Sequence, residues 1–252
     1  MKSSVSVIVP AYNEESRIPS TLERLCEYLK CHFREFEIII VDDGSSDDTA
    51  SVVKALSLKL EELKLIQYEK NMGKGYAVRK GVLSSVGALV LMCDADLSTP
   101  IEELEKLRTL IDEAGFDIAI GSRGLRESDI IARQPWYREG MGKIFNMFVR
   151  TLVFGGIKDT QCGFKLFRGD VARNLFASSL INGFSFDVEI LFLARKTGCR
   201  IKEEPVKWLN SPNSRVRLIR DPVKMFFELL KIRINWFAGR YKAGGRRSAD
   251  SL

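Results

Sequence analysis

Short apolar runs rich in β-branched residues alternate along this chain with longer segments whose apolar positions recur at helical spacing. The runs at residues 5–9, 38–41, 63–68, 89–93 and 118–120 predict strands. The segments between them predict helices: one reaching about Lys30, one after Ser46, one from Lys74 and one after Pro100. Strands that are apolar on both faces and separated by helices predict an α/β fold, a doubly wound and mostly parallel sheet covered on both sides. After about residue 130 the pattern changes to longer amphipathic helices around a strand at residues 163–167. One domain is expected over residues 1–242, with halves at 1–125 and 126–242, followed by a disordered tail at 243–252.

In doubly wound sheets, ligands sit beyond the carboxyl ends of the strands. Those ends read Pro10-Ala11-Tyr12-Asn13-Glu14, Asp42-Asp43-Gly44-Ser45, Asn71-Met72-Gly73-Lys74-Gly75, Asp94-Ala95-Asp96 and Gly121-Ser122-Arg123. Asp94 and Asp96 close a buried run, and residues i and i+2 of a strand share a face, so both carboxylates can converge on one divalent ion. The competing reading is a solvated turn, with Ser98-Thr99-Pro100 capping the next helix. Asp42-Asp43-Gly44-Ser45 also admits two readings. It is either a cap and tight turn, or a carboxylate that accepts the imino N–H of a nucleobase while Tyr12 offers the ring an aromatic face. No G-x-G-x-x-G follows the first strand and no Walker A loop occurs, which argues against dinucleotide and P-loop chemistry.

Composition narrows the partners. A chain of 252 residues with 45% hydrophobic content buries a full core. The five cysteines are scattered, odd in number and without a CxxC pair, as expected of buried thiols in a reducing compartment and not of a zinc site. His32 is the only histidine, which leaves no material for a histidine-based triad. A net charge of +6 and a pI near 9.0 call for an anionic partner: nucleic acid, a membrane surface or a phosphorylated substrate. No apolar run reaches the roughly 18 residues that span a bilayer, and the chain enters a strand at once, so a cytoplasmic location is expected.

Taken together, Val9-Pro10-Ala11-Tyr12-Asn13-Glu14-Glu15, Val41-Asp42-Asp43-Gly44-Ser45, Asn71-Met72-Gly73-Lys74-Gly75, Asp94-Ala95-Asp96 and Gly121-Ser122-Arg123 resemble the family 2 glycosyltransferases of the GT-A fold. Asp159-Thr160-Gln161-Cys162-Gly163-Phe164-Lys165-Leu166-Phe167 and Phe186-Asp187-Val188-Glu189 narrow the resemblance to the polyprenyl-phosphate sugar transferases, nearest their glucosyl-transferring branch. The resemblance runs from about residue 5 to residue 237. It implies that residues 1–125 bind a nucleotide sugar, and that 126–242 bind the acceptor and carry membrane-facing helices. Pro10, Tyr12, Glu14, Val41, Asp43, Lys74, Ala95 and Arg123 would contact the donor. Asp94 and Asp96 would hold Mg²⁺ or Mn²⁺, with Asp96, Arg123 and Asp187 as catalytic residues. The implied reaction is inverting transfer of a hexose, glucose from UDP-glucose being favoured, to a polyprenyl (dolichyl-type) phosphate; GDP-mannose is the alternative donor.

A phosphate acceptor also fits the residues. Its second pKa is near 6, so it is largely a dianion at pH 7 and attacks an anomeric carbon with little help from a base. Such a reaction needs cations to bring two anions together. Arg133, Lys165, Arg215 and Arg217 are candidates for the acceptor phosphate beside Arg123, each with a solvated surface charge as its alternative. Asp187 reads either as a base or as an acid that complements a helix dipole. Transfer to a soluble sugar or polysaccharide would require the base. Nucleic-acid binding is disfavoured because acidic residues mark the strand ends.

Two helices suggest how a lipid is met. Over residues 141–154, Lys143, Asn146 and Arg150 form one narrow polar stripe; Lys224, Glu228, Lys231 and Asn235 repeat it near the C-terminus. The wide apolar surface left over suits peripheral contact with a membrane surface, or burial against the sheet or in a homo-oligomer.

Overall fold

The computed structural model describes residues 4–131, 136–209 and 220–241; Arg133, Arg215, Arg217 and the 243–252 tail lie outside the described residues. Strands β1 (Val5–Ala11), β2 (Phe36–Asp42), β3 (Leu63–Gln67), β4 (Leu89–Met92) and β5 (Ile118–Ser122) appear where the apolar runs predict them. A two-stranded ribbon pairs β6 (Asp129–Ile130) with β9 (Lys207–Trp208). With β7 (Lys165–Arg168) and β8 (Ile201–Pro205), the first five strands form one sheet in the order β3-β2-β1-β4-β7-β5-β8.

Alternation along β1 and β2 creates two cores. Val5, Val7, Val9, Ile38 and Ile40 enter one, while Ile8, Ile39 and Val41 enter the other. A sheet buried on both faces needs helices on both faces. The first core is covered by α1 (Ile18–His32), α2 (Thr49–Ser57) and α4 (Leu104–Asp112). The second is covered by α3 (Lys74–Ser84), α5 (Trp136–Leu152), α6 (Gly169–Ser178), α7 (Phe186–Lys196) and α8 (Arg220–Phe237).

The register of β7 positions the site. It runs antiparallel to both β4 and β5, whereas the other sheet pairings are parallel. Lys165, its first residue, is therefore registered with Met92 and Ile120 near the carboxyl ends of those strands. The loop before β7 is thereby delivered to the edge where the parallel strands end.

The structure corrects the helical stripes. Asn235 is fully buried and Glu228 accepts the backbone N–H of Ser185 at 3.2 Å, so half of the expected polar stripe of α8 faces inward. Asn146 likewise turns toward the loop before β7 and donates to the Lys158 carbonyl at 3.0 Å. Met225, Leu229 and Ile232 pack into the core with Phe145 and Val149 of α5. The apolar residues that stay exposed on α8 are Val223, Phe227, Ile234 and Phe237, one stripe at helical spacing, with Ile144 and Met147 exposed on α5. Among the described residues, no helix is long and apolar enough to cross a membrane.

Candidate active site

β4 ends at Met92, so Asp94-Ala95-Asp96 forms a turn just beyond the strand. The Leu97 N–H closes it on the Asp94 carbonyl at 3.1 Å, with Leu97 in the left-handed region at φ 44°. Ala95 is buried and its carbonyl accepts the Thr21 hydroxyl of α1 at 2.6 Å. Asp94 and Asp96 on either side of it are half-exposed, but they stand in a turn and not on the strand, so the strand alternation expected of their i, i+2 spacing does not apply to them. The turn of the competing reading is present, with Asp96 Oδ1 accepting the Ser98 N–H at 3.0 Å, but its side-chain cap is not. Pro100, without a side-chain cap, precedes the 3₁₀ turn Ile101–Glu103, and Thr99 faces the Cys162 sulfur at 3.9 Å.

Three cations converge around these acids. Lys74 Nζ lies 2.6 Å from Asp94 Oδ1. Burial pushes the Asp94 carboxyl up, but Lys74, then Lys165 and Arg123, outweigh it and hold the group below its ordinary value. Burial likewise pulls the Lys74 ammonium down, and Asp94, Asp187 and Asp96 more than offset it, leaving it above its ordinary value. Arg123, just past β5, grips Asp159 with Nε at 2.6 Å and Nη2 at 2.9 Å, and its guanidinium lies over the Trp208 ring at 5.6 Å. Glu203 of β8 holds that loop by accepting the Asp159 N–H at 2.9 Å and the Ser122 hydroxyl at 2.8 Å.

Lys165 differs from its expected place among exposed acceptor ligands. It is buried, and its Nζ donates to Asp187 Oδ1 and to the Cys162 carbonyl, both at 2.5 Å. The cause is the antiparallel register of β7, which plants its first side chain between the ends of β4 and β5. Asp187, in the first turn of α7, is buried as well, and that burial pushes its carboxyl up despite Lys165 and Lys74.

At the ends of β1 and β2 the loops are laced together. Asn13 N–H donates to Ser45 Oγ at 2.9 Å, Ser46 N–H to Asn13 Oδ1 at 2.9 Å, and Glu14 N–H to Thr49 Oγ1 at 2.8 Å. Tyr12 is exposed beside this lacing and Pro10 is half-exposed. Asp43 is buried and accepts the Met72 N–H at 2.7 Å and the Gly73 N–H at 2.9 Å, tying the loop after β3 to the end of β2. Burial pushes its carboxyl up against those two donors. Glu14 is nearly buried against Arg17 at 2.7 Å. Val41 faces the core, so only its backbone is available at this edge.

The acids suit a hard divalent cation. Among the described residues no group of three or more His, Cys, Asp or Glu side chains gathers for a metal. Two half-exposed carboxylates remain, the donor set of Mg²⁺-type sites that complete their shell with water and substrate phosphate. The place of the Asp94 carboxylate depends on Gly163, since a Cβ there would lie 2.0 Å from Asp94 Oδ2.

Asp159, Gly163, Glu203 and Trp208 support the site without having been assigned a role in the sequence. Asp159 and Gly163 stand in a quoted motif, but nothing local pairs Asp159 with Arg123, 36 residues away. Trp208 and Glu203 lie in short polar strands that carry no apolar signal.

Residues 6–176 match the family model described as Glycosyl transferase family 2. The chain belongs to that family, a GT-A glycosyltransferase with the doubly wound, mostly parallel sheet of the class. It is 38% identical over 249 residues to a dolichyl-phosphate beta-glucosyltransferase of Dictyostelium discoideum, covering 94% of this chain and 76% of that protein. Proteins of the same name from Mus musculus and Homo sapiens are 36% and 35% identical, over 98% and 94% of this chain and 80% and 77% of theirs. Among solved structures, mannosyl-3-phosphoglycerate synthase from Rubrobacter xylanophilus shares the fold at a TM-score of 0.67 and 19% identity, over 99% of this chain and 79% of that one. Glucosyl-3-phosphoglycerate synthase from Mycobacterium tuberculosis, in complex with Mn²⁺, UDP-glucose and phosphoglyceric acid, does so at 0.66 and 18%, over 96% and 81%.

Proposed function

We propose that this chain transfers glucose with inversion from UDP-glucose to a dolichyl-type polyprenyl phosphate, bound peripherally at the cytoplasmic face of a membrane. The observation that carries this reading is the half-exposed Asp94 and Asp96 pair set between Lys74 and Arg123, at the edge where the parallel strands end. The names of relatives that align over nearly the whole chain point the same way.

In this reading Asp94 and Asp96 hold Mg²⁺ or Mn²⁺, which when bound neutralises charge on the departing diphosphate. Tyr12 and Asp43 border the base, Pro10, Val41 and Ala95 present backbone to the donor, and Glu14 acts through Arg17. Arg123, fixed by Asp159 and Trp208, faces the sugar and phosphates. An acceptor phosphate oxygen forms the new bond to the anomeric carbon as the bond to UDP breaks, and UDP leaves with the electron pair. A phosphate dianion needs no dedicated base. That suits Asp187, whose Oδ1 is occupied by Lys165 and which stands here as a positioning residue. The exposed stripe Val223, Phe227, Ile234 and Phe237, with Lys224 and Lys231 exposed beside it, suits the lipid headgroup region.

The test incubates the protein with Mn²⁺, a panel of nucleotide sugars and a short polyprenyl phosphate, and scores nucleotide release. UDP-glucose is expected to be consumed. Asp94→Asn and Asp96→Asn are each expected to cut turnover by about 10²- to 10³-fold, the scale of losing a charge-stabilising group, with unchanged circular dichroism. Near-normal turnover in either variant sinks the site, GDP release points to the mannosyl alternative, and loss of all turnover in an Asp187→Asn variant that keeps the wild-type circular dichroism and unfolding midpoint points to a hydroxyl acceptor. Co-sedimentation with anionic liposomes at low salt tests the stripe; failure there moves it to a homo-oligomer interface.

A further inference from the structure

Four carboxylates at the end of the sheet, Asp94, Asp96, Asp159 and Asp187, meet three cations, Lys74, Arg123 and Lys165. Arg123 is spent on Asp159 and Lys165 on Asp187. Lys74 takes Asp94, and among the described residues Asp96 forms no ion pair. The geometry points to Lys74 as a resident counter-ion of Asp94, one that must leave the carboxylate when a divalent cation binds and that then turns to the donor diphosphate. This rests on the reading of Asp94 and Asp96 as the metal ligands and adds to it an exchange between two cations on one oxygen.

Three features make Lys74 the exchangeable partner. First, it occupies the first turn of α3, where no acidic residue offsets the helix dipole and a cation is disfavoured. Its placement there is explained by the acids it faces. Second, its backbone is wedged while its side chain keeps contact with solvent, at 24% exposure. A Cβ on Gly73 would lie 2.5 Å from the Asn182 carbonyl oxygen, and one on Gly75 would lie 2.6 Å from Phe186 Cβ, so the main chain abuts the loop before α7 on both sides of the lysine. Exchange is therefore a swing of a flexible four-carbon stem, not a loop movement. Third, the same loop is anchored at Asp43, which accepts the Met72 and Gly73 N–H groups. The lysine is thus sited between the nucleoside end of the proposed donor site and its metal end.

Electrostatics sets the direction of exchange. A divalent ion on Asp94 and Asp96 stands within a few ångströms of an ammonium sharing the same carboxylate, and two cations so close repel. An incoming diphosphate gives the displaced ammonium a new anionic partner. Metal and nucleotide then assist each other through Lys74, and that assistance is reciprocal.

The test is a Mn²⁺ titration of the nucleotide-free protein, read as loss of the free-ion electron paramagnetic resonance signal. Lys74→Met is expected to bind Mn²⁺ about tenfold more tightly than wild type, because a competing charge is gone. Lys74→Arg, which keeps the cation, should stay close to wild type and controls for disturbed folding. With Mn²⁺ saturating, Lys74→Met should bind UDP about tenfold more weakly. Equal or weaker Mn²⁺ binding by Lys74→Met overturns the exchange; if Asp96→Asn meanwhile abolishes binding, the metal site itself stands. If Asp94→Asn and Asp96→Asn leave Mn²⁺ binding unchanged, the metal site fails and the exchange fails with it.

Discussion

Two lysine–aspartate pairs lie at the same edge of the sheet and differ in how much water reaches them. The side chains of Lys165 and Asp187 are 1% and 5% exposed; those of Lys74 and Asp94 are 24% and 38% exposed. Coulomb attraction is similar at 2.5 and 2.6 Å, so desolvation makes the difference. Removing one member of a buried pair strands a charge in a medium that cannot solvate it. Removing one member of a half-exposed pair lets water take over. The first pair therefore fastens the start of β7 to the first turn of α7, and the second can exchange partners.

The largest expected effect breaks the buried pair. Lys165→Met should lose about 3–5 kcal/mol of unfolding free energy, since Asp187 is left without its cation. The double variant Lys165→Met with Asp187→Leu should regain most of that loss, because neither charge remains to be desolvated. Urea denaturation reads both. A single variant within about 1 kcal/mol of wild type would mean that water enters this pair too, and the contrast with Lys74 would disappear.

Arg123 and Asp159, 29% and 6% exposed, join a cation that water reaches to a buried carboxylate, and pH sharpens their place. Burial would raise the Asp159 carboxyl, but Arg123 outweighs it and holds the group down at about 2. A carboxyl depressed in the folded state stabilises above its unfolded value, about 3.9. That contribution fades as pH falls through the folded value. Asp159→Asn should thus cost about 2 kcal/mol at pH 7 and flatten the loss of stability between about pH 4 and pH 2. Unfolding midpoints measured across that window decide it; parallel curves for variant and wild type would show that the carboxyl is not depressed.

How much of this was legible in the sequence follows from which forces are local. β1, β2 and β4 announced themselves because strands buried on both faces must be apolar throughout. Asp94 and Asp96 were legible for the opposite reason, as charges at the end of such a run. β8 was not, because Ile201-Lys202-Glu203-Glu204-Pro205 is an edge strand with partial solvent contact and needs no apolar run. The ion pairs were hidden more deeply. Asp159 meets Arg123 and Lys165 meets Asp187 because β7 runs antiparallel between β4 and β5, a non-local pairing that no local periodicity encodes. In α8 the polar stripe misled because Glu228 and Asn235 turn toward the protein: Glu228 accepts the Ser185 N–H, and Asn235, itself buried, accepts from the exposed Arg240 through Oδ1 at 3.3 Å.

The smallest expected effect completes the contrast. Lys74→Met should change stability by less than about 1 kcal/mol, the range of pairs that water reaches. Two terms oppose each other: the variant loses the attraction of Asp94 and relieves a cation at the start of α3. Salt separates the terms from packing. At 1 M ionic strength the Debye length is about 3 Å, so whatever difference exists between wild type and Lys74→Met at low salt should shrink. The Lys165→Met deficit should persist, because ions do not reach a pair that water does not. Paired urea curves for the two variants at low and high salt make the comparison. A Lys74→Met deficit as large as that of Lys165→Met, and equally indifferent to salt, would make Lys74 a fixed anchor of the fold and leave Asp94 no means of changing partners.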